Sequence, residues 1–505
     1  MIGPDPDADL AAVSAQRDQF GLTVGAPVAE WTARPLPPRT PLRGRYCSLE
    51  PVDVERDSRQ LYEAYATAPD HRDWTYLPAS GFADHESYRQ HLAAQAGAAG
   101  QKTTLRLFDG GNQTEDTLIK AIVKAFLQTN PDLNVTIEPI TGDFATKIYA
   151  MAAANTLPDV TRTADVYTQP FASKKVLMNM QPLADRDKAF NVADIYPAML
   201  NLGRTSVVPG GLFMLARGLD ILVLFYNKTL FTNAGVPLPT DKWTINDLVD
   251  AAKKLSQPGS DPSTAKYGIN LNWTWWAEYV PWMRGYGGDI VSSDGKTFTG
   301  HEGGAVDGIQ AMVDLVGKDR VAPPSTMKFA KDPFTTGQVA MVHSTRGSVP
   351  TYRTAIADHF EWDVQLWPTF PQKHVTGMGT QGFAVTSGTK HTDSAWALTS
   401  FVVSPAGQRV LASNYSIVPV RISMANDPSW RKLAPPPANN DIFIQSAAIG
   451  TLPPVFPPNC GSVYTGQINQ IMTKAITQAL PGVTTAKTAL QDAAQQINGC
   501  LAQNP

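Results

Sequence analysis

Cysteine is scarce: a chain of 505 residues carries three, Cys47, Cys460 and Cys500. None has CxxC spacing and no histidine stands near one in sequence, which argues against a zinc site. Charge is thin too. Charged residues make up 17% of the chain, the formal net charge is −3, and lysine and arginine form no cluster. Nothing therefore supplies the basic field that a nucleic acid would need. Apolar residues reach 43%, a globular level, yet no apolar run is long enough to cross a bilayer. What the chain does have is turn-formers, 40 prolines and 38 glycines spread along its length. It also has more residues than one hydrophobic core can organise, so two or three domains are expected.

Lysine is missing altogether from the first hundred residues, which hold nine arginines; the remainder holds 21 lysines and 12 arginines. The small-residue run Ala93-Ala94-Gln95-Ala96-Gly97-Ala98-Ala99-Gly100 follows this shift. Together they mark a domain boundary, with residues 95–101 as linker. Residues 1–35, with Pro4, Pro6, Pro27 and Pro35 and weak periodicity, read as a loosely held arm. Arg45 to Pro51 alternates like a strand, and Asp57 to Thr67 reads as an amphipathic helix. Within residues 36–94, TPLRGRYCSLEPVD, LYEAYATAPDHRDWTYLP and FADHESYRQHL resemble the opening of the GNAT N-acetyltransferases, a small α+β fragment. Such enzymes cradle the acetyl-CoA pyrophosphate on a later glycine-rich strand–loop–helix. Nothing after Ala94 supplies it, so the segment is expected to be truncated and to lack a catalytic site. Ala96-Gly97-Ala98 fits a signal-cleavage pattern, but the preceding Ser87-Tyr-Arg-Gln-His is polar where an apolar core belongs. A foreign start that replaced an export signal, by gene fusion or misassembly, accounts for both features, and no intact signal peptide is expected.

From residue 102 the pattern tightens. Thr103 to Phe108 alternates as a strand ending at Asp109-Gly110-Gly111. Asn112 and Glu115 read as a capping box for a helix with Leu118, Ile119, Ile122, Val123, Phe126 and Leu127 at helical spacing, and Asn134 begins another strand. Strand, helix and strand at this spacing make a βαβ unit, hence a parallel sheet. Further on, Asn270 to Ile290 (NLNWTWWAEYVPWMRGYGGDI) gathers Trp273, Trp275, Trp276 and Trp282, with Asn272, Glu278, Arg284 and Asp289 among them. Aromatic faces beside polar groups suit a ligand with apolar faces and polar edges, of which sugars are the commonest; the same stretch would serve equally as core filling.

TTLRLFDGG, FLQTNPDLNVTIEPI, KIYAMAAANTLPDV, ARGLDILVLFYNKTLFTNAGV, DKWTINDLVDAAKKL, GGDIVSSDGK, DPFTTGQVAMVHS and GTQGFAVTSGTKHTDSAWALTSFV follow one another over about 101–505. In that order they resemble the extracellular solute-binding proteins of ABC importers, in the carbohydrate-binding family. The resemblance implies an α/β, two-lobed periplasmic-binding-protein fold with interleaved lobes and a hinge. Lobe 1 is expected at about 102–218 and 339–383, and lobe 2 at about 219–338 and 384–505. Ile221 to Phe225, Val339 to His343 and Gly382 to Thr386 are the expected crossings.

The resemblance further implies a receptor without enzymatic activity, cofactor or metal, monomeric and extracytoplasmic. It would take a sugar or oligosaccharide from its interlobe cleft to the transmembrane subunits of a permease. Ligand residues in this fold lie on loops at the carboxyl ends of strands. Carried over residue by residue, they are Asp109, Gly110, Asp165, Tyr167, Arg217, Asp220, Trp275, Trp276, Arg284, Arg346, Gly379, Gln381 and Arg421. Of the tryptophans, Trp275 or Trp276 is expected to face the sugar while the other packs into the lobe, with Trp273 and Trp282 in the core. Two stretches depart from the family pattern: Ser344-Thr-Arg-Gly lacks a tryptophan after its arginine, and Val208-Pro-Gly-Gly replaces an Asp-Gly-Lys turn.

Cys460 and Cys500, each beside a glycine near the C-terminus, are expected to form one disulfide in an oxidising compartment. His301 and His343 lack a nucleophile motif such as G-x-S-x-G, no carboxylate pair has glycosidase-like support, and both read as surface or core histidines. Two other classes stay open, a GNAT-type acyltransferase resting on 36–94 and a glycoside hydrolase resting on the aromatics. Arg217, Arg284 and Arg346 also keep a polyol phosphate open as the ligand.

Overall fold

The structure, a computed structural model, describes residues 52–67, 82–98, 102–109, 113–139, 143–205, 207–413, 417–431, 433–454, 467–482 and 484–503, with four two-residue strands inside the first fifty. The chain divides into two compact units, Met1–Thr103 and Thr104–Pro505. In the first, helices Val54–Ala66 and His85–Ala98 pack together through Tyr62 and Tyr88, whose ring centroids lie 5.9 Å apart. Arg89 of the second helix pairs with Glu86 and reaches Glu55 of the first.

The second unit opens with β1 (Thr103–Asp109), α1 (Gln113–Thr129) and β2 (Leu133–Pro139), the expected strand–helix–strand. Leu118, Ile119, Ile122 and Phe126 give α1 one buried stripe. Asn112, expected to cap it, lies outside the described residues. Next come α2 (Phe144–Ala153), β3 (Val160–Ala164), α3 (Asp165–Ser173), β4 (Leu215–Ala216) and β5 (Asp220–Asn227). Then follow α4 (Ile245–Leu255), β6 (Tyr267–Asn270), α5 (Trp276–Gly285), α6 (Gly303–Gly317), β7 (Val339–Thr345), β8 (Trp362–Gln365), β9 (Thr376–Gly379) and β10 (Gln381–Val385). The chain ends with α7 (Thr392–Val402), α8 (Pro405–Ser413), β11 (Gly450–Thr451), α9 (Gln467–Ala479) and α10 (Ala486–Gln503). Thr244 and Asp247 cap α4 reciprocally: the Thr244 N–H donates to Asp247 at 2.8 Å and the Asp247 N–H to the Thr244 hydroxyl at 3.3 Å.

The strands form two sheets with helices around them. One has the order β2-β1-β3-β10-β4, with β1 and β3 parallel and β10 antiparallel to both its neighbours. The other has the order β6-β7-β5-β9-β11, with β8 alongside β9 on the same edge of β5. β5 is its spine. Ile221 to Phe225 have no accessible surface, as expected of an apolar strand covered on both faces. This is a two-lobed α/β architecture, each lobe built on its own sheet.

The pairing corrects the expected division of the chain between lobes. Val339 to His343 is no crossing: β7 lies inside the second sheet, where Met341 pairs with Tyr226 and Thr345 with Leu222. Residues 339–379 therefore belong with 220–270, and only β10, followed by α7 and α8 packed on α1, returns to the first sheet. The C-terminal part goes back again, β11 pairing with β9 and α9 and α10 packing on α6. An apolar run announces a buried strand but carries no information about which sheet accepts it, so alternation and burial left this allocation open. Cys500 on α10 is disulfide-bonded, and Cys460 lies outside the described residues.

The close approach of β10 to β4 demands glycine at 382, where an added Cβ would stand 2.2 Å from the Leu215 carbonyl oxygen. Gly499 on α10 has open space around it. Gly382→Ala is expected to cost about 3 kcal/mol through forced backbone displacement, and Gly499→Ala to be neutral or slightly stabilising. Urea unfolding of the two variants beside the wild type checks both.

Candidate functional site

The chain passes from one sheet to the other in very few residues. β9 ends at Gly379 and β10 begins at Gln381, so Thr380 alone separates them. Arg217, Gly218 and Leu219 separate β4 from β5. Neither ladder can satisfy the Thr380 backbone, and the start of α3 does so instead. The Thr380 N–H donates to Asp165 Oδ2 at 2.9 Å, and its carbonyl accepts the Asp165 N–H at 3.2 Å. The Thr380 hydroxyl donates to the carbonyl of Gly218, tying one crossing to the other. Asp165 Oδ1 accepts the Val166 N–H at 2.7 Å.

A line of polar groups extends from this point across β1, β3, β10 and the end of β4. Asp109, buried at the end of β1, pairs with Arg162 Nε at 3.1 Å. Arg162 Nη1 donates to Gln381 Oε1 at 2.9 Å, and Arg217 Nη2 donates to the same oxygen at 3.0 Å. Asp220 stands opposite Gly379 in the strand register. Burial pushes the Asp165 carboxyl up to about 7, and the negative charge of Asp220 adds to that, against the opposing amides of Thr380 and Val166. A carboxyl of this kind is shared between its acid and its anion at neutral pH.

The second lobe meets this cluster through an indole. Trp275 is the residue before α5, in extended conformation, and its side chain is half-buried. A Cβ placed on Gly379 would stand 3.0 Å from Asp165 Oδ2 and 3.1 Å from Trp275 Cζ2. Gly379 thus has a lobe 1 carboxyl and a lobe 2 aromatic both crowding the space a side chain would fill. Asp109, Asp165, Arg217, Asp220, Trp275, Gly379 and Gln381 come together here, while Gly110 lies outside the described residues. Tyr167 sits next to the cluster, buried, stacked on Phe171 at 5.4 Å and edge-on to Phe144.

Four other expected positions are placed elsewhere. Trp276 has no accessible surface and fills the lobe core, because α5 turns its next side chain inward after Trp275. Arg346 is also fully buried, its guanidinium 4.4 Å from the Trp430 ring centroid and bonded to Asn440 at 2.7 Å. Arg421 is buried as well, donating to the carbonyls of Phe190 and Val403 and to Asp194. Arg284 is held by Asp289 at 2.9 Å and by Thr451 and the Leu452 carbonyl. These arginines act as structural cross-links. Glu278 is likewise internal, bonded to His343. Of the other tryptophans, Trp282 is buried, and Trp273 is half-buried with its indole N–H on the Thr477 hydroxyl.

Arg162 and Thr380 escaped the sequence reading. Arg162 left a usable signal, a single charge in the middle of a short strand of valine, threonine and alanine. Thr380 left none. An open recess of about 540 Å³ lined by Lys228, His359, Glu361, Trp362 and Pro435 lies beyond the opposite end of β5 and contains none of the expected residues.

Comparison with known proteins places this geometry in a family. The family described as bacterial extracellular solute-binding protein matches residues 110–409, more than half of the chain, and the chain belongs to it. The match begins after residue 94 and lends no support to the acetyltransferase resemblance. A galactooligosaccharide-binding protein of Bacillus subtilis is 25% identical over 309 residues, covering 59% of this chain and 68% of that protein. Among solved structures, an ABC substrate-binding protein of Listeria monocytogenes in complex with cycloalternan is 24% identical. It superposes with a TM-score of 0.70 over 80% of this chain and 100% of its own. The GacH receptor of Streptomyces glaucescens, solved unliganded and with acarbose, is 22% identical, with a TM-score of 0.64 over 80% of this chain and 100% of its own. Both share the fold.

The Asp165 carboxyl gives the ligand-free protein a pH signature. Its folded-state value is raised, so the stability linked to it is fully present below the ordinary carboxylate range and is lost as pH climbs through about 7. Wild-type unfolding free energy is expected to fall by a few kcal/mol on this account between about pH 4 and pH 7. Asp165→Asn should remove that part of the slope, as denaturant unfolding at stepped pH would show.

Proposed function

We propose that this family member is an extracytoplasmic receptor that captures a neutral sugar or oligosaccharide between its lobes and delivers it to the transmembrane subunits of an ABC importer. The half-exposed Trp275 indole beside Gly379 and Asp165 carries the reading. An indole face covers the C–H surface of a pyranose, a carboxyl beside it accepts or donates to hydroxyls, and a glycine lets the ring approach the backbone. The two lobes would close on the ligand about the crossings at 217–219 and Thr380. The relatives' names support a saccharide: galactooligosaccharide, cycloalternan and acarbose belong to three of them.

A neutral ligand is favoured over a polyol phosphate. Arg217 donates to Gln381, Arg284 to Asp289 and Thr451, and Arg346 to Asn440 beneath Trp430. Arg284 and Arg346 are held apart from the Trp275 cluster, so Arg217 is the one of the three placed to meet a phosphate there. The acetyltransferase-like residues 36–94 take no part in this reading.

Isothermal titration of the full chain against maltooligosaccharides, galactooligosaccharides and sugar phosphates tests it. Saccharide binding is expected, with Trp275→Ala weakening it at least about tenfold at an unchanged unfolding midpoint. Trp276→Ala should instead cost about 3–5 kcal/mol of stability. Folded protein that takes up no saccharide, or a Trp275→Ala variant that binds like the wild type, would overturn the proposal.

A further inference from the structure

Behind the cleft wall lies a buried polar chain that ligand contact does not explain. Glu278, in the first turn of α5, and His343, on β7, have side chains 5% and 3% exposed. Glu278 Oε2 lies 3.0 Å from His343 Nδ1, and His343 Nε2 lies 3.0 Å from the Thr376 hydroxyl on β9. That hydroxyl donates to the Leu222 carbonyl of β5 at 2.9 Å. The Trp367 ring stacks on the imidazole at 3.7 Å between centroids. Four elements therefore meet at one histidine.

The donor count in this chain has a single solution. Thr376 has one hydroxyl hydrogen and gives it to Leu222, so toward His343 it can only accept, and Nε2 carries a hydrogen. The contact between Nδ1 and Glu278 then needs one more proton, on the carboxyl or on the ring. With it the pair is either a neutral acid facing a neutral imidazole or an internal ion pair, and carries no net charge in both forms. Without it, a buried carboxylate faces a ring lone pair, or the Thr376 hydroxyl must turn from Leu222 to serve a tautomerised ring. Burial raises the Glu278 carboxyl above its ordinary value, with His343 as the opposing influence. Tyr352 is the other titratable side chain that feels Glu278, and burial keeps its hydroxyl protonated well past neutrality.

We propose that Glu278 and His343 are positioning residues that hold one proton in common, and that its loss as pH rises loosens the first turn of α5 and so displaces Trp275. The link is short. The Glu278 N–H donates to the Trp275 carbonyl at 3.0 Å. The turn also rests directly on β9, where a Cβ on Gly377 would meet the Ala277 carbonyl oxygen at 1.9 Å. β9 in turn leads to Gly379 and Thr380. The shared proton thus governs both the indole and the crossing beside it. The effect on affinity rests on the saccharide reading; the effect on stability does not.

Glu278→Gln separates the possibilities, because its amide donates to Nδ1 as the protonated acid would but cannot titrate. In the ligand-free wild type, the unfolding midpoint is expected to fall as pH rises above the ordinary carboxylate range, the direction required of a raised group. In Glu278→Gln the Glu278 part of this fall should be absent, leaving only the part that belongs to Asp165. Saccharide affinity should drop about tenfold over the same range in the wild type and by less in the variant, where Asp165 still titrates. Identical midpoint profiles for the two proteins would overturn the proposal whatever binds. Absence of saccharide binding with divergent midpoint profiles would overturn only the functional reading. Should Glu278→Gln fail to fold, ¹⁵N-histidine NMR of the wild type decides, with His343→Asn used for assignment if it folds. Nε2 should carry a proton and Nδ1 should show a hydrogen bond shared with Glu278; an Nε2 without its proton, or an Nδ1 free of such a bond, would refute the shared proton.

Discussion

The second unit depends on how one backbone amide is satisfied. A chain that leaves one sheet and enters another within a single residue takes that residue out of both ladders, and an orphaned buried amide is expensive. Here the residue is Thr380, and Asp165 accepts its N–H and donates to its carbonyl. The Thr380 side chain then reaches the neighbouring crossing at Gly218. Two connections that are far apart in sequence become one knot, and the first turn of α3 is part of it. The candidate site is assembled around this knot because Asp165, which satisfies it, also stands beside Gly379 and Asp220.

Charge near the knot is balanced locally. Asp109 answers Arg162, and Arg162 and Arg217 converge on Gln381. A partly buried ion without such a partner would cost several kcal/mol. Farther out, Arg421 is answered by Asp194 and two carbonyls, while Arg346 lies between the Trp430 and Phe443 rings and bonds to Asn440. What this leaves at the meeting of the lobes is a carboxyl poised between two protonation states and an indole.

Local order could be read from the sequence because local rules produce it. The stripe on α1, the reciprocal cap of α4 and the apolar run of β5 all follow from spacing and side-chain chemistry within a few residues. Which sheet receives a strand is another matter. β7 and β10 are both short and apolar, yet one joins β5 and the other β3, a choice made by packing across hundreds of residues. The site shows the same divide. Trp275 and Trp276 are adjacent and chemically identical, and only the direction in which α5 begins separates a cleft residue from a core residue. Arg346 and Arg421 had the composition of ligand residues and the surroundings of structural ones, and composition alone was visible. Glu278 and His343 lie 65 positions apart, and no spacing rule joins them.

The place of β10 in the first sheet bears on how the protein comes to be made. That strand lies between β3 and β4, yet β5 through β9 of the other sheet all precede it in the chain. The second sheet waits in its turn for β11, and its outer helices α9 and α10 come last. During synthesis, therefore, neither lobe can close its sheet until most of the polypeptide has left the ribosome. Such long-range pairing also slows the final collapse. For a family described as extracellular, the native pairing of both sheets is thus a late event in the life of the nascent chain.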